Sequence, residues 1–277
     1  MTEIPTRTLN NGVAMPRLGF GVFQVPAETA AEVVTTALAA GYRSIDTAAI
    51  YRNEAGVGAA LADSGLPREE LFVTTKVWNS DQGYEETLRA FDTSAGLLGL
   101  DHLDLYLIHW PTPERDRYLD TWRALERLYA EGRVRAIGVS NFHPAHLERL
   151  LKVAEVAPAL NQVELHPYLQ QAELRAFHAG HGIATEAWSP LAQGGGLLSD
   201  PVVAALAERH GRTPAQVVLR WHLQLGNVVI PKSATPARIR ENLDVFGFTL
   251  TEAELAQLAG LDRDGRVGPD PDTFNVA

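Results

Sequence analysis

Short apolar runs rich in β-branched residues alternate along this chain with longer segments whose apolar positions recur at helical spacing, and the alternation continues to about residue 260. The runs at 17–21 (RLGFG), 43–46 (RSID), 71–77 (LFVTTKV), 103–109 (LDLYLIH), 134–139 (VRAIGV), 159–164 (ALNQVE), 183–187 (IATEA) and 227–230 (NVVI) predict eight strands. Helices are predicted between and after them, at 27–40, 52–63, 82–98, 117–130, 144–153, 170–179, 201–210 and 236–243. Several strands are apolar over four or more consecutive residues, which suits parallel strands packed on both faces. Eight β–α units in one chain predict an α/β fold of the (β/α)8 TIM-barrel type.

Three additions to that barrel are predicted. Thr6 to Arg17 alternates around Asn11-Gly12, a dipeptide suited to a tight β-hairpin, which can plug the bottom of the barrel. Two additional helices are read at 214–224 and at 251–260, the second opened by Thr251 with Glu254 at capping-box spacing. The rival architecture is a doubly wound sheet, but Gly19-Phe20-Gly21-Val22-Phe23-Gln24 lacks the third glycine of its dinucleotide fingerprint and runs into Pro26.

Composition narrows the function. The 277 residues are 45% hydrophobic and 21% charged, enough for a sizeable core, and with no linker-like stretch residues 1–277 read as one domain. A net charge of −10 repels phosphate backbones and anionic lipid, so neither nucleic acid nor a membrane surface is an expected partner. The absence of cysteine excludes disulfides, thiolate metal sites and a cysteine nucleophile. The N-terminus lacks an apolar leader and no run approaches the ~18 apolar residues of a membrane span, which gives a cytoplasmic expectation. Only three of the 24 basic residues are lysines: Lys76, Lys152 and Lys232. A lysine in a chain that prefers arginine is worth a question, because lysine can tune its pKa and arginine cannot.

Barrel chemistry sits at the C-terminal ends of the strands. There stand Asp46, then Tyr51 five residues on at the start of a helix, Lys76 and His109. Each has an ordinary reading: a turn carboxylate, a half-exposed phenol, a hydrogen-bonded structural histidine. For Lys76 that reading is the least satisfactory, since a charge closing LFVTT is costly to bury unpaired. Their appearance together on consecutive units is what carries weight.

Gly19-Phe20-Gly21, Gly41-Tyr42-Arg43-Ser44-Ile45-Asp46-Thr47-Ala48 with Tyr51, Asn53 and Glu54, then Lys76-Val77-Trp78, Leu105-Tyr106-Leu107-Ile108-His109-Trp110, Gly138-Val139-Ser140-Asn141-Phe142, Asn161-Gln162-Val163-Glu164 and Ile230-Pro231-Lys232-Ser233 together resemble the motifs of the aldo-keto reductases, in the right order over nearly the whole chain. The resemblance is greatest to the small bacterial 2,5-diketo-gluconate reductase-like members. It implies NADPH-dependent reduction of small aldehydes and ketones, with Asp46, Tyr51, Lys76 and His109 as the catalytic tetrad and no metal. In such a site Tyr51 gives the proton, Lys76 lowers its pKa, Asp46 holds Lys76, and His109 orients the carbonyl.

Cofactor residues follow in the second half. Ser140, Asn141 and Gln162 stand at strand ends where they can hold a carboxamide, though Ser-Asn is also ordinary turn chemistry. Trp188 reads as core from its position alone, but the resemblance makes it the aromatic stacked on the nicotinamide, with Ser189 and Leu191 beside it. Gly194-Gly195-Gly196 can fold over a pyrophosphate or be a plain loop. Lys232, Ser233 and Arg238 suit the 2′-phosphate of NADPH, and by resemblance Asn242 contacts the adenine. Phe23, Trp78 and Trp110, with His109, are the expected substrate pocket. The tail after the last helix, Gly265 to Ala277, is short and predicts an open pocket. A small carbonyl compound is the expected partner of a monomer or weak oligomer. Two other readings stand beside this one: a glycoside hydrolase built on Asp46, Glu164 and Glu186, and a regulatory subunit that binds NADPH without turnover.

Overall fold

The computed structural model describes residues 4–277. Two short antiparallel strands come first, β1 (Thr6–Thr8) and β2 (Ala14–Pro16), paired with Arg7 opposite Met15. Gly12 takes φ +87° in the turn between them and donates its N–H to Leu9 O at 2.9 Å. That left-handed position is open to glycine without strain. The hairpin carries Leu9 and Met15, both buried, into a cluster with Phe72, Leu105, Leu107 and Leu160. At about 1.5–3 kcal/mol per fully buried apolar side chain, these two contacts fasten the expected plug.

Eight parallel strands follow: β3 (Phe20–Gly21), β4 (Ser44–Asp46), β5 (Phe72–Val77), β6 (Leu103–Ile108), β7 (Val134–Ser140), β8 (Leu160–Glu164), β9 (Ala184–Trp188) and β10 (Val228–Val229). Each pairs with its neighbour in chain order. The row closes on itself through a parallel bridge between Leu18 and Val229, with Gly19 N donating to Val229 O at 2.8 Å and Val229 N to Arg17 O at 3.0 Å. Closure makes this a barrel and rules out the doubly wound alternative, whose sheet keeps two open edges. At Gly138 the wall is tightest: an added Cβ would stand 2.6 Å from Leu160 O, so β7 and β8 come together only over glycine.

The helices are α1 (Ala27–Ala40), α2 (Glu54–Asp63), α3 (Tyr84–Leu98), α4 (Tyr118–Ala130), α5 (Pro144–Leu151), α6 (Ala172–Gly180), α7 (Pro201–His210), α8 (Pro214–Gln224), α9 (Pro236–Glu241) and α10 (Glu252–Ala259). α8 and α10 are the two predicted additions. Both open on capping boxes: Thr213 with Gln216, and Thr251 with Glu254. Each satisfies N–H groups that a helix start leaves free. Among the described residues no helix is long and apolar enough to cross a membrane.

Candidate active site

Lys76 is fully buried inside the barrel near the end of β5. Its ammonium donates to Asp46 Oδ1 at 2.6 Å and to Thr47 O at 2.8 Å, and lies 5.3 Å from the centroid of the Tyr51 ring. Asp46 is the last residue of β4. Tyr51 is placed differently from the sequence expectation. It closes a single 3₁₀ turn, Ala49–Tyr51, Arg52 then takes φ +57°, and α2 begins only at Glu54. Asn53 makes that interruption stable: it accepts from Thr47 Oγ1 at 2.8 Å and donates to Val22 O and Val25 O. One buried amide thereby ties the Tyr51 loop to the loop that carries Phe23.

His109 follows β6, its ring centroid 5.8 Å from Tyr51 and 5.2 Å from Trp78. Its backbone is held by Asn141 Nδ2, which donates to His109 O at 3.0 Å. Burial, with help from the Lys76 charge, pushes the imidazole well below its ordinary pKa. The ring is therefore neutral at pH 7 and keeps one N–H to donate.

The electrostatics of Tyr51 correct the simple expectation. Burial raises the phenol, Lys76 acts to lower it and Asp46 to raise it, and the net position is above the ordinary value. Lys76 works in the expected direction, but desolvation outweighs it. Tyr51 is thus fully protonated at neutral pH. For Lys76 burial opposes the charge, yet Asp46, Tyr51 and Glu186 outweigh it and keep the ammonium above its usual pKa.

The residues singled out from the sequence for catalysis, cofactor or substrate line one cavity of about 840 Å³, except Lys76, which lies behind it, and two glycines of the triple-glycine loop. Phe23 leans on Tyr51 at 5.1 Å between ring centroids. Trp188 donates its Nε1–H to Asn141 Oδ1 at 2.8 Å, which holds the indole at the cavity wall. Asn141 sits at φ +64° and Ser189 at φ +45°; strained backbone of this kind gathers at functional sites. Of the triple glycine only Gly194 reaches the cavity, accompanied by Gln193.

The polar set suggested for a carboxamide is already engaged within the chain. Ser140 Oγ donates to Gln162 O at 2.8 Å, and Gln162 Nε2 donates to Asp46 Oδ2 and Glu186 Oε2, each at 2.8 Å. These side chains stitch the strand ends together as well as lining the cavity.

The open pocket expected from a short tail is corrected. The tail folds back over the mouth of the barrel, and Val267, Gly268 and Phe274 line the cavity. Val267 N and Gly268 N donate to the buried Glu164 carboxylate at 2.7 and 2.8 Å. Phe274 packs on Trp110 with centroids 4.5 Å apart, and Asn79 Nδ2 donates to Val276 O at 2.6 Å. Sequence could not reveal this, because a Gly/Pro-rich tail has no period and its partners lie more than a hundred residues away.

The glycoside hydrolase reading loses its acids. Asp46 is ion-paired with Lys76, Glu164 is occupied by the tail and His166, and Glu186 is buried outside the cavity lining. Among the described residues, these three acids offer no pair of free carboxylates to the cavity.

The donor chemistry fits a phosphorylated dinucleotide. Lys232 and Arg238 are exposed at one end of the cavity beside buried Ser233 and Asn242, and among the described residues neither cation has a carboxylate within 4.0 Å. Two unpaired cations and a hydroxyl are a ready site for a phosphate dianion.

Residues 17–263 match the model of the aldo/keto reductase family. The glyoxal reductase of Bacillus subtilis is 57% identical over 96% of both chains. Methylglyoxal reductase DkgA of Yersinia pestis is 52% identical over 99% of both. A solved structure, an aspartate-to-alanine mutant of Gox0644 in complex with NADPH, is 51% identical, covers 99% of each chain and superposes with a TM-score of 0.95.

Proposed function

The chain belongs to the aldo/keto reductase family, and from that premise we propose how its own residues carry out the reaction. It is an NADPH-dependent oxidoreductase that reduces carbonyl groups to alcohols. The bound nicotinamide supplies the hydride, which no side chain can. Tyr51 delivers the proton to the carbonyl oxygen. Lys76 stabilises the phenolate that remains, and Asp46 and Thr47 O hold the ammonium within reach of the ring. His109, neutral, donates its N–H to the same oxygen and fixes the angle at which the carbonyl is presented. The observation that supports this reading best is a fully buried lysine held 5.3 Å from the tyrosine ring centroid by a carboxylate at 2.6 Å.

Small 2-oxoaldehydes are the proposed substrates. Phe23, Trp78, Trp110 and Phe274 enclose a compact aromatic space above Tyr51 and His109, and two close relatives are named for glyoxal and methylglyoxal. NADPH oxidation with methylglyoxal, simple aldehydes and diketo sugars tests the assignment. Methylglyoxal should give the highest kcat/KM; a preference for the sugars would refute the substrate class while leaving the chemistry intact. The whole chain is proposed to act as one domain, in the cytoplasm, as a monomer or weak oligomer without nucleic acid.

Lys232, Ser233 and Arg238 are proposed to read the 2′-phosphate. A charge-assisted hydrogen bond contributes about 1.5–3 kcal/mol, so Arg238→Ala should weaken NADPH roughly tenfold to a hundredfold and NADH much less. Titration of both cofactors checks this; equal losses would place Arg238 on a part of the dinucleotide that both share.

Trp188 is proposed to face the nicotinamide, as its place beside Asn141 and Ser189 allows. NADPH should then quench tryptophan emission, and Trp188→Ala should remove most of that quenching. Quenching of undiminished absolute size in the variant would exclude Trp188 from the cofactor site.

A further inference from the structure

Behind the cavity the Asp46–Lys76 pair continues into a second buried acid that the reaction as described does not use. Glu186, on β9, is 1% exposed and stands opposite Gln162 in the β8–β9 ladder. Gln162 has two amide hydrogens, and they are divided: one goes to Asp46 Oδ2, the other to Glu186 Oε2, each at 2.8 Å. The result is an unbroken row of side chains across the barrel interior, Lys76–Asp46–Gln162–Glu186, drawn from β5, β4, β8 and β9. At the far end Glu186 Oε1 is buried without a partner.

A buried acid with an unpartnered oxygen is poorly suited to carrying charge. Burial, and then the nearby Asp46 charge, push Glu186 up to about 8. The charged groups that bear on it are Asp46 from β4 and Lys76 from β5; on β10 its opposite number is Val228, which carries no charge. A neutral Glu186 leaves Lys76 facing one anion. An ionised Glu186 adds a second anion that bears on Lys76, and an ammonium shared between two anions stabilises less well the phenolate that forms when Tyr51 gives up its proton.

We propose that Glu186 is a positioning residue of the reaction: as a neutral acid it anchors Gln162, which orients Asp46 and so Lys76, and its ionisation switches carbonyl reduction off at alkaline pH. The inference rests on the Tyr51–Lys76 chemistry proposed above. No proton passes along the row, because the Gln162 amide donates a hydrogen to each acid and neither accepts from nor gives up a proton to them; Glu186 acts through geometry and charge.

The pH dependence of kcat for methylglyoxal reduction under saturating NADPH tests it. Wild-type kcat should fall with a midpoint near that of Glu186, reaching about a tenth of its plateau one pH unit higher. Glu186→Gln, neutral at every pH, should move that limb upward, so that most of the plateau survives at the same pH. Glu186→Leu removes the anchor as well and should lower the plateau itself about tenfold, with KM little changed. Infrared difference spectra of the apo proteins give a readout independent of turnover. At pH 7 the wild type should show a protonated-carboxyl band that is missing in Glu186→Gln and disappears from the wild type as pH rises through the same midpoint. A pH profile unchanged in Glu186→Gln, or no such band in the wild type, overturns the proposal. Absence of wild-type turnover would instead refute the carbonyl-reducing reading, and the infrared titration would still report on Glu186.

Discussion

Replacing Tyr51 with phenylalanine is expected to lower kcat for carbonyl reduction by a factor of about 10²–10⁴, the usual contribution of a positioned general acid. The substitution removes one hydroxyl and keeps the ring that packs on Phe23 and lies beside the Lys76 ammonium. Nothing in its place can give a proton: His109 is neutral and holds its remaining N–H as a hydrogen-bond donor, and Lys76 lies behind the cavity, fully buried. NADPH affinity should stay close to wild type, because Lys232, Ser233 and Arg238, the residues proposed to read the phosphate, are untouched by the substitution. The check pairs single-turnover kinetics with a cofactor titration. Turnover near wild type in this variant would remove Tyr51 from the chemistry.

Lys76→Met should reduce turnover to a similar level and also cost stability. The ammonium is buried and has two acceptors, Asp46 and Thr47 O. Removing it leaves the Asp46 carboxylate almost buried, with Gln162 as its remaining donor. Breaking a buried ion pair on one side typically costs about 3–5 kcal/mol. Urea unfolding followed by circular dichroism measures that loss, and Asp46→Asn/Lys76→Met should recover part of it by removing the stranded charge. A single variant as stable as wild type would show that Asp46 finds another partner; a stable variant with full turnover would refute the role given to Lys76.

The fold was open to sequence reasoning because local rules and the final structure agree. α1, α7 and α8 begin and end where periodicity and punctuation place them, with Pro201 and Pro214 opening two of them and Gly41 and Gly211 closing α1 and α7 in left-handed conformations. The first barrel strand was harder. Its ladder covers only Phe20–Gly21, because the preceding residues are spent closing the barrel through Leu18 and Val229. Asp46, Lys76 and His109 could be found because strand ends are where barrels place chemistry, and Lys76 stood out in a chain of arginines. The 3₁₀ turn at Tyr51 was not legible, since it depends on Asn53 bonding to backbone near thirty residues earlier. The same holds for the Gln162 bridge between Asp46 and Glu186, and for the tail seated on Glu164. Each is a contact between residues distant in sequence: Asn53, Gln162 and Glu164 stand in motif segments, but nothing in those segments says which remote backbone or side chain each one bonds.

Transfer of label from cofactor to substrate tests the central claim most directly. NADPH deuterated at the transferring position of the nicotinamide is incubated with methylglyoxal and the wild-type protein, and the alcohol is analysed by mass spectrometry. The account predicts that the deuterium appears on the former carbonyl carbon, in step with NADPH oxidation, and that Tyr51→Phe forms the same labelled product far more slowly. NADPH oxidation without label in the alcohol, or labelled product at an unchanged rate in Tyr51→Phe, would contradict it.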